Sequence, residues 1–448
     1  MEVSSIFDKN YQFLSNIFDK IVYLRKISTA MLNKDLIREI IIENQRFTSS
    51  ITFFERDYSF EQELNYVLVG LRRSGKSYLM YQQIRHLIDN GHSQDEILYF
   101  NFEDDRLGEL DVSDLDVIKA TYEEMYDTKP IFFLDEIQIV DGWEKFARRL
   151  ADYKYRVFIT GSNAKMLSSE IATTLGGRYI IKEVFPLSFN EYLSANGIEM
   201  KNKNTIWGKK KDILKHFETY FRFGGLPEVQ KVQDKRSWLS NLYNKIFFGD
   251  LIARYSIRND HSLRIMAKKM AESVKQPTSY TRIGSIVSSA GKKVSTDTVI
   301  DYVRYMCESW LILPIENICG KLADRTKKRK YYFIDNGILN LFLTDPNTSL
   351  LENIVAINLC KRFGNGVYFY KNGVEIDFYI PENETAIQVS YSLRDTDTEQ
   401  RETDALIKAS KHIGISKMII ITKDDESEIE RDGYVIKVIP AWKWLLVE

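Results

Sequence analysis

The octapeptide Gly70-Leu71-Arg72-Arg73-Ser74-Gly75-Lys76-Ser77 limits the fold of this chain more than any other feature. It fills the pattern G-x-x-x-x-G-K-[ST], with the apolar run "NYVLV" before it and the amphipathic "SYLMYQQIRHLID" after it. The pattern works only where a strand enters a tight loop and the loop enters a helix. That geometry points successive backbone N–H groups at one anion and adds the positive end of a helix dipole. A strand–loop–helix unit of this kind belongs in a mostly parallel sheet with helices on both faces.

A second signature supports the first. "IFFLDE", Ile131 to Glu136, is four apolar residues followed by two carboxylates, the composition of a buried strand that ends at a metal. In this pairing Lys76 reaches the β- and γ-phosphates of a nucleotide, and Ser77 and Asp135 are ligands for Mg2+. Glu136 is placed to polarise an attacking water. Two consecutive acids fit an ATPase better than a nucleotide kinase, and no N-K-x-D loop is present to read guanine. The expected cofactors are therefore ATP and Mg2+.

Other polar residues fall at strand ends. Asn101, in "ILYFNFEDDR", would sit beside the Glu136 strand and either hold that carboxylate or face solvent. Thr160, Gly161, Ser162 and Asn163 close "VFITGSN", where Ser162 or Asn163 could sense the γ-phosphate. Arg178, in "LGGRY", is a candidate arginine finger in cis or in trans. Arg72 and Arg73 read as solvated or as facing a neighbouring subunit. The expected catalytic residues are Glu136, Lys76 and Arg178. The expected nucleotide contacts are Gly70, Arg73, Ser74, Gly75, Lys76, Ser77 and Tyr78, with Asn101, Ser162 and Asn163.

At 448 residues the chain is too long for one ordinary domain. Residues 1–46 show helical periodicity. Residues 47–193 alternate short apolar runs with helical patterns and form the nucleotide domain. Residues 194–262 read as a helical lid or linker, interrupted by "RFGGLPEV". From 263 to 338 three short helices precede a hairpin, the pattern of a winged helix, and 339–448 read as an α+β domain. The fold class is thus α/β with a helical segment, a winged helix and a final α+β unit.

Several of these stretches, "GLRRSGKSYLM", "YFNFEDDRL", "FFLDEIQIVDGWEKFARRL", "FITGSNAKMLSSEIATTLGGRY" and "FPLSFNEYL", together resemble bacterial and archaeal AAA+-type ATPases of the STAND-related group. Members carry a C-terminal region of unknown function. The resemblance runs from about residue 45 to "EIDFYI" and implies ATP binding by the residues above. It supplies no substrate.

The formal net charge of −1 gives no overall basic field for nucleic acid, but local patches remain. In the winged helix, "STDTVIDYVRYMCESW" is the candidate recognition helix, capped by Ser295 or Thr296, with Lys292, Lys293 and Arg304 on its polar side. The loop "GKLADRTKKRKYY" concentrates Lys321, Arg325, Lys327, Lys328, Arg329 and Lys330 and could grip DNA phosphates. A protein partner or a second copy of the chain are the other candidate partners. The last domain has the shape of a restriction-nuclease core, with Asp377 on one strand and Glu352 on a preceding helix. An active site of that kind needs Glu-x-Lys on the next strand, and here Gln388-x-Ser390 stands in its place. The nuclease-like site therefore reads as damaged. Three cysteines without metal spacing, no signal peptide and no apolar run near the ~20 residues of a membrane helix point to a cytoplasmic chain. The leading reading is an ATP-driven switch acting on DNA or a partner. The alternatives are an ATP-gated nuclease and a scaffold without turnover.

Overall fold

A computed structural model describes residues 33–447, apart from 164–165, 167–168, 201–207, 292, 322–324 and 326–327. The expected helices before residue 33, and the side chains of Lys292 and Lys327, lie outside the described residues.

The first helix, α1 (Lys34–Ser50), is capped by Asn33 and buries Ile37, Ile40 and Ile41, one stripe at helical spacing. The nucleotide domain then alternates strand and helix: β1 (Asn65–Val69), α2 (Lys76–Asp89), β2 (Ile97–Asn101), α3 (Val112–Met125), β3 (Ile131–Asp135), α4 (Trp143–Asp152), β4 (Val157–Gly161), α5 (Ser169–Leu175) and β5 (Tyr179–Glu183). Its strands pair in the order β2-β3-β4-β1-β5, all parallel. Four of the five strands are apolar on both faces, because helices cover both sides. The carboxyl ends of β1, β3 and β4 therefore open on the same edge, where ligands of such sheets bind.

Helices follow as α6 (Phe189–Ala195), α7 (Lys210–Phe223) and α8 (Lys235–Lys245), then a π-helix over Ile246–Ala253; all but α6 fall within the 194–262 segment expected to be helical. The three-helix segment comprises α9 (Asp260–Glu272), a short β6 (Thr278–Ser279), α10 (Tyr280–Ala290) and α11 (Thr296–Glu308), with the hairpin β7 (Ile312–Asn317) and β8 (Lys328–Phe333). After α12 (Asn336–Asn340) come α13 (Asn347–Phe363), β9 (Tyr368–Asn372), β10 (Val374–Ile380), β11 (Thr385–Val389), α14 (Thr396–Ser410) and β12 (Lys417–Thr422). The hairpin β13 (Ser427–Arg431) and β14 (Tyr434–Pro440) and the helix α15 (Ala441–Val447) close the chain.

The boundary expected at 338/339 is not a boundary between sheets. One nine-stranded sheet runs β13-β14-β12-β11-β10-β9-β7-β8-β6, and β7 joins β9 in parallel at Glu316↔Tyr368 and Asn317↔Phe369. Two strands this distant in sequence carry no local signal of their pairing, so the hairpin read as a free wing is instead built into the sheet. The helix α15 returns to pack on α6 and α7. Among the described residues no helix is long and apolar enough to cross a membrane.

Candidate nucleotide site

The loop between β1 and α2 is shaped by contacts that admit no side chain. A Cβ on Gly70 would lie 2.3 Å from the Val184 carbonyl oxygen, so only glycine lets the loop leave β1 against β5. Arg73 holds a left-handed backbone, φ 63°, which costs a non-glycine residue about 1 kcal/mol or more. Lys76, the first residue of α2, is buried, and its ammonium donates to the carbonyls of Gly70 and Leu71, both at 3.2 Å.

The acids converge on the same edge. Asp135 ends β3 and is wholly buried. Tyr99 donates to its Oδ2 at 2.7 Å, Thr160 donates to its Oδ1, and the Ser77 hydroxyl also hydrogen-bonds it. Burial, then the charge of Glu136, raises its carboxyl above the usual range against these donors. Thr160 is also the acceptor for the Glu136 N–H at 2.9 Å, so a single β4 side chain sets both acids. Glu136 stands in the left-handed region, φ 55°, with Lys76 Nζ 3.7 Å from its Oε1. Burial alone would raise Glu136, but Lys76, Gln138 and Arg72 outweigh it and hold the carboxylate ionised.

These groups open into a cavity of 550 Å³. Arg73, Gly75, Lys76, Ser77, Tyr78 and Asn101 line it with Asp135 and Glu136, as does the apolar pair Phe53 and Phe54. Gly70 and Ser74 lie beneath as loop backbone, and the Ser74 hydroxyl is buried with no hydrogen-bond partner among the described residues. Ser162 and Asn163 are buried just past β4 rather than on the cavity wall. Pro227, Glu228, Lys231 and Lys245, from the helical segment after β5, also line it.

Three expectations are corrected. Asn101 does neighbour Asp135 in register, but its side-chain oxygen accepts from the Glu103 N–H at 3.0 Å. Glu136 is held instead by Gln138, whose amide donates to Oε2 at 2.5 Å, with Lys76 and the Ser162 side chain also beside it. A residue two positions past the carboxylate had no signal in the sequence, because its reach depends on the left-handed turn at Glu136. Arg178 precedes β5, whose Tyr179 pairs with Asn65 at the start of β1. It is therefore at the opposite end of the strands from the phosphate loop, roughly 13 Å of strand away, and it pairs with Asp152 at 2.6 Å. It cannot serve this site in cis. Arg72 and Arg73, read as solvated or facing another subunit, both grip acids of this same chain, Arg73 while remaining exposed to solvent. Arg72 bonds Asp250 on the π-helix at 3.2 Å and Glu103 at 3.1 Å, and Arg73 bonds Glu228 at 2.6 Å and lies over the Trp238 ring. Burial works against the charge of Arg72, yet Asp250 and Glu103 raise its pKa.

The conspicuous "RFGGLPEV" finds its role here. Gly224, φ 76°, and Gly225 turn the chain so that Pro227 and Glu228 reach the cavity. The Gly225 N–H donates to Asp335 Oδ2 at 2.7 Å, and a Cβ on Gly224 would strike that carboxylate at 2.1 Å. Asp335 in turn caps α12, so the turn that faces the nucleotide loop is bolted to the hairpin sheet.

A support that the sequence did not announce lies behind the loop. Arg56 donates to the Ser74 carbonyl at 3.0 Å, to the Phe185 carbonyl at 3.0 Å, and to both oxygens of Glu191 at 3.0 and 3.2 Å. Glu191 belongs to a capping box with Ser188 at the start of α6 and also receives Lys361 of α13 at 2.7 Å.

Comparison with known proteins agrees with this architecture. A family profile for an AAA domain matches residues 62–193, and one for a domain of unknown function (DUF8612) matches residues 214–349. An uncharacterized protein of Methanocaldococcus jannaschii is 33% identical over 452 residues, covering 97% of this chain and 100% of its own length. An uncharacterized protein of Haemophilus influenzae is 30% identical over 392 residues, 85% of this chain and 94% of its own. Among solved structures, a Walker-type ATPase of Pyrococcus abyssi superposes with a TM-score of 0.39 at 11% identity, over 70% of this chain and 96% of that one. With its phosphate loop, paired acids and full-length archaeal and bacterial relatives, the chain belongs to the AAA-type P-loop ATPase family whose members continue into a C-terminal region of unknown function.

Proposed function

We propose that this chain binds ATP with Mg2+ in the 550 Å³ cavity and hydrolyses it, and that the nucleotide changes how the phosphate loop holds the lid. One observation carries the reading: Lys76, Ser77, Asp135 and Glu136, from two separate segments, face one cavity at the carboxyl edge of a parallel sheet. The donors fit the metal, since Ser77 and Asp135 offer hard oxygens in contact with each other and Mg2+ takes few protein ligands beside phosphate. Bound there, Mg2+ supplies charge neutralisation for the phosphates. Lys76 adds a second positive charge, the loop amides orient the anion, and Glu136 takes a proton from the water. Replacing Lys76 by Ala should weaken binding of a fluorescent ATP analogue roughly 10- to 150-fold, the range of a charge-assisted hydrogen bond. Unchanged affinity in that titration would place the nucleotide elsewhere.

The switch reading rests on Arg72 and Arg73. Both leave the phosphate loop and both end on lid acids, Asp250 and Glu228, so added negative charge in the loop competes with the lid for the same guanidinium groups. The Asp250 site is a run of π-helix, a rare geometry that concentrates at functional sites. In wild type, hydrogen exchange over residues 246–253 should differ between ADP and a non-hydrolysable ATP analogue, and Asp250→Asn should erase the difference while nucleotide still binds. If the variant keeps the difference, the lid is coupled by another route.

For the target we place a protein partner ahead of DNA, because fewer of the described wing cations are free than the sequence suggested. Of the described wing cations, Lys330 is buried, Arg329 is spent on Glu316 at 2.5 Å and Arg325 donates to the Gly320 and Ile318 carbonyls, while Lys321 and Lys328 stay exposed. On α11, Arg304 is paired with Asp301 and lies near Glu308, while Lys293 just before the helix stays exposed.

A further inference from the structure

Lys330 was read as a tip residue for gripping phosphates, but it points the other way. Its side chain is 0% exposed, and its Nζ lies 2.9 Å from Asp377 Oδ1, 3.2 Å from Glu375 Oε1 and 3.3 Å from Glu352 Oε1. These are the very acids that the nuclease-like reading singled out, joined by Glu375. Tyr332 donates to Glu352 Oε1 at 2.7 Å, and the Val389 N–H donates to Asp377 Oδ2 at 3.0 Å. Both oxygens of Asp377 are thus engaged by the protein itself.

The neutral replacement on the next strand fits the same arrangement. Gln388 accepts from the Asp377 N–H at 2.9 Å and donates to the Glu375 carbonyl at 3.1 Å and to Glu402 at 2.9 Å. A glutamate at that position would add a further negative charge beside Glu402 and could not donate. Among the described residues no group of three or more His, Cys, Asp or Glu is arranged to hold a metal.

We propose that Lys330 is the resident cation of this centre, its ammonium standing between Glu352 and Asp377 where a nuclease of this layout would carry a divalent metal. The centre is therefore a metal-free hub. It ties β8 of the hairpin to α13 and β10 of the C-terminal core through charge as well as through the shared sheet. An ammonium is the right substitute because it brings positive charge and three donors without needing an open coordination shell. Burial acts against that charge, and the surrounding acids more than reverse it, so Lys330 stays protonated. The inference is independent of the ATPase reading.

The test is a Mn2+ titration of the nucleotide-free full-length chain, followed by the EPR signal of free Mn2+ and by thermal melting. Wild type should take up no Mn2+ at this centre, and its Tm should not move at millimolar Mn2+. Lys330→Ser leaves space and uncompensated carboxylates. It should melt lower, bind a single Mn2+ and recover several degrees on binding, and Lys330→Ser with Asp377→Asn should lose that uptake. Uptake by wild type that Asp377→Asn abolishes would overturn the proposal. So would Mn2+-dependent DNA cleavage lost in the same variant, or a folded Lys330→Ser that ignores Mn2+. Should Lys330→Ser not fold alone, the wild-type titration and its Asp377→Asn control still decide.

Discussion

Glu136→Gln should keep ATP bound and lower turnover by about 100-fold or more, the lower end of what a positioned general base contributes. The substitution is nearly isosteric, so the turn at φ 55° and the hydrogen bond from the Glu136 N–H to Thr160 are retained. What is lost is the negative charge that Lys76, Gln138 and Arg72 now keep ionised in a buried place. Nucleotide affinity should not fall, because the phosphates are held by Lys76 and the loop amides, and removing a nearby carboxylate lessens repulsion of an anion. Steady-state phosphate release beside a binding titration separates the two effects. Hydrolysis at the wild-type rate would mean that the water is activated by another group, and the reading of Glu136 as base would be abandoned. A Gln138→Leu variant should sit between wild type and Glu136→Gln, since it removes only the 2.5 Å hydrogen bond that aims the carboxylate.

What could be read in advance follows from how local each feature is. Gly70 to Ser77 and Ile131 to Glu136 are contiguous segments whose own residues dictate strand, loop and helix, so the sheet edge and its acids were legible. Asn101 shows the limit: its register beside Asp135 followed from strand order, but its side-chain direction is set by the turn at Glu103. Arg178 failed for a related reason, since "LGGRY" precedes a strand and parallel strands place such positions at the wrong end. Lys330 failed because burial deepens along β8, from exposed Lys328 through half-buried Arg329 to fully buried Lys330, and a run of like charges carries no mark of where the strand passes into the core. Asp250, Glu228 and Arg56 are linked to the loop only through tertiary contacts, so no spacing could have marked them.

Arg56→Met should destabilise the fold by about 3–5 kcal/mol, the cost of leaving one buried charge without its partner. Methionine fills much of the same volume, so cavity formation is a minor part of the loss. The larger part is Glu191, left buried with Lys361 as its remaining cation, together with unfilled acceptors at Ser74 and Phe185. Because one of those acceptors is the phosphate loop, affinity for ATP should fall with stability, which a core substitution remote from the loop would not produce. Adding Glu191→Gln to Arg56→Met should restore part of the stability by removing the orphaned charge, and Lys361, partly exposed, can then turn to water. The same pair sets an acid limit. Burial would raise Glu191, but Arg56 and then Lys361 bring it down to about 2, from 4.5 when unpaired. A carboxyl lowered on folding stabilises the fold above its unfolded value and loses that contribution as pH falls through the folded one. Wild type should therefore shed roughly 3 kcal/mol between about pH 4.5 and pH 2 from this residue, and Glu191→Gln should melt lower at neutral pH with a flatter acid limb. Denaturant titrations at pH 7 and at pH 3 measure both effects. Equal acid slopes in wild type and Glu191→Gln would show that the Arg56–Glu191 pair does not govern the response.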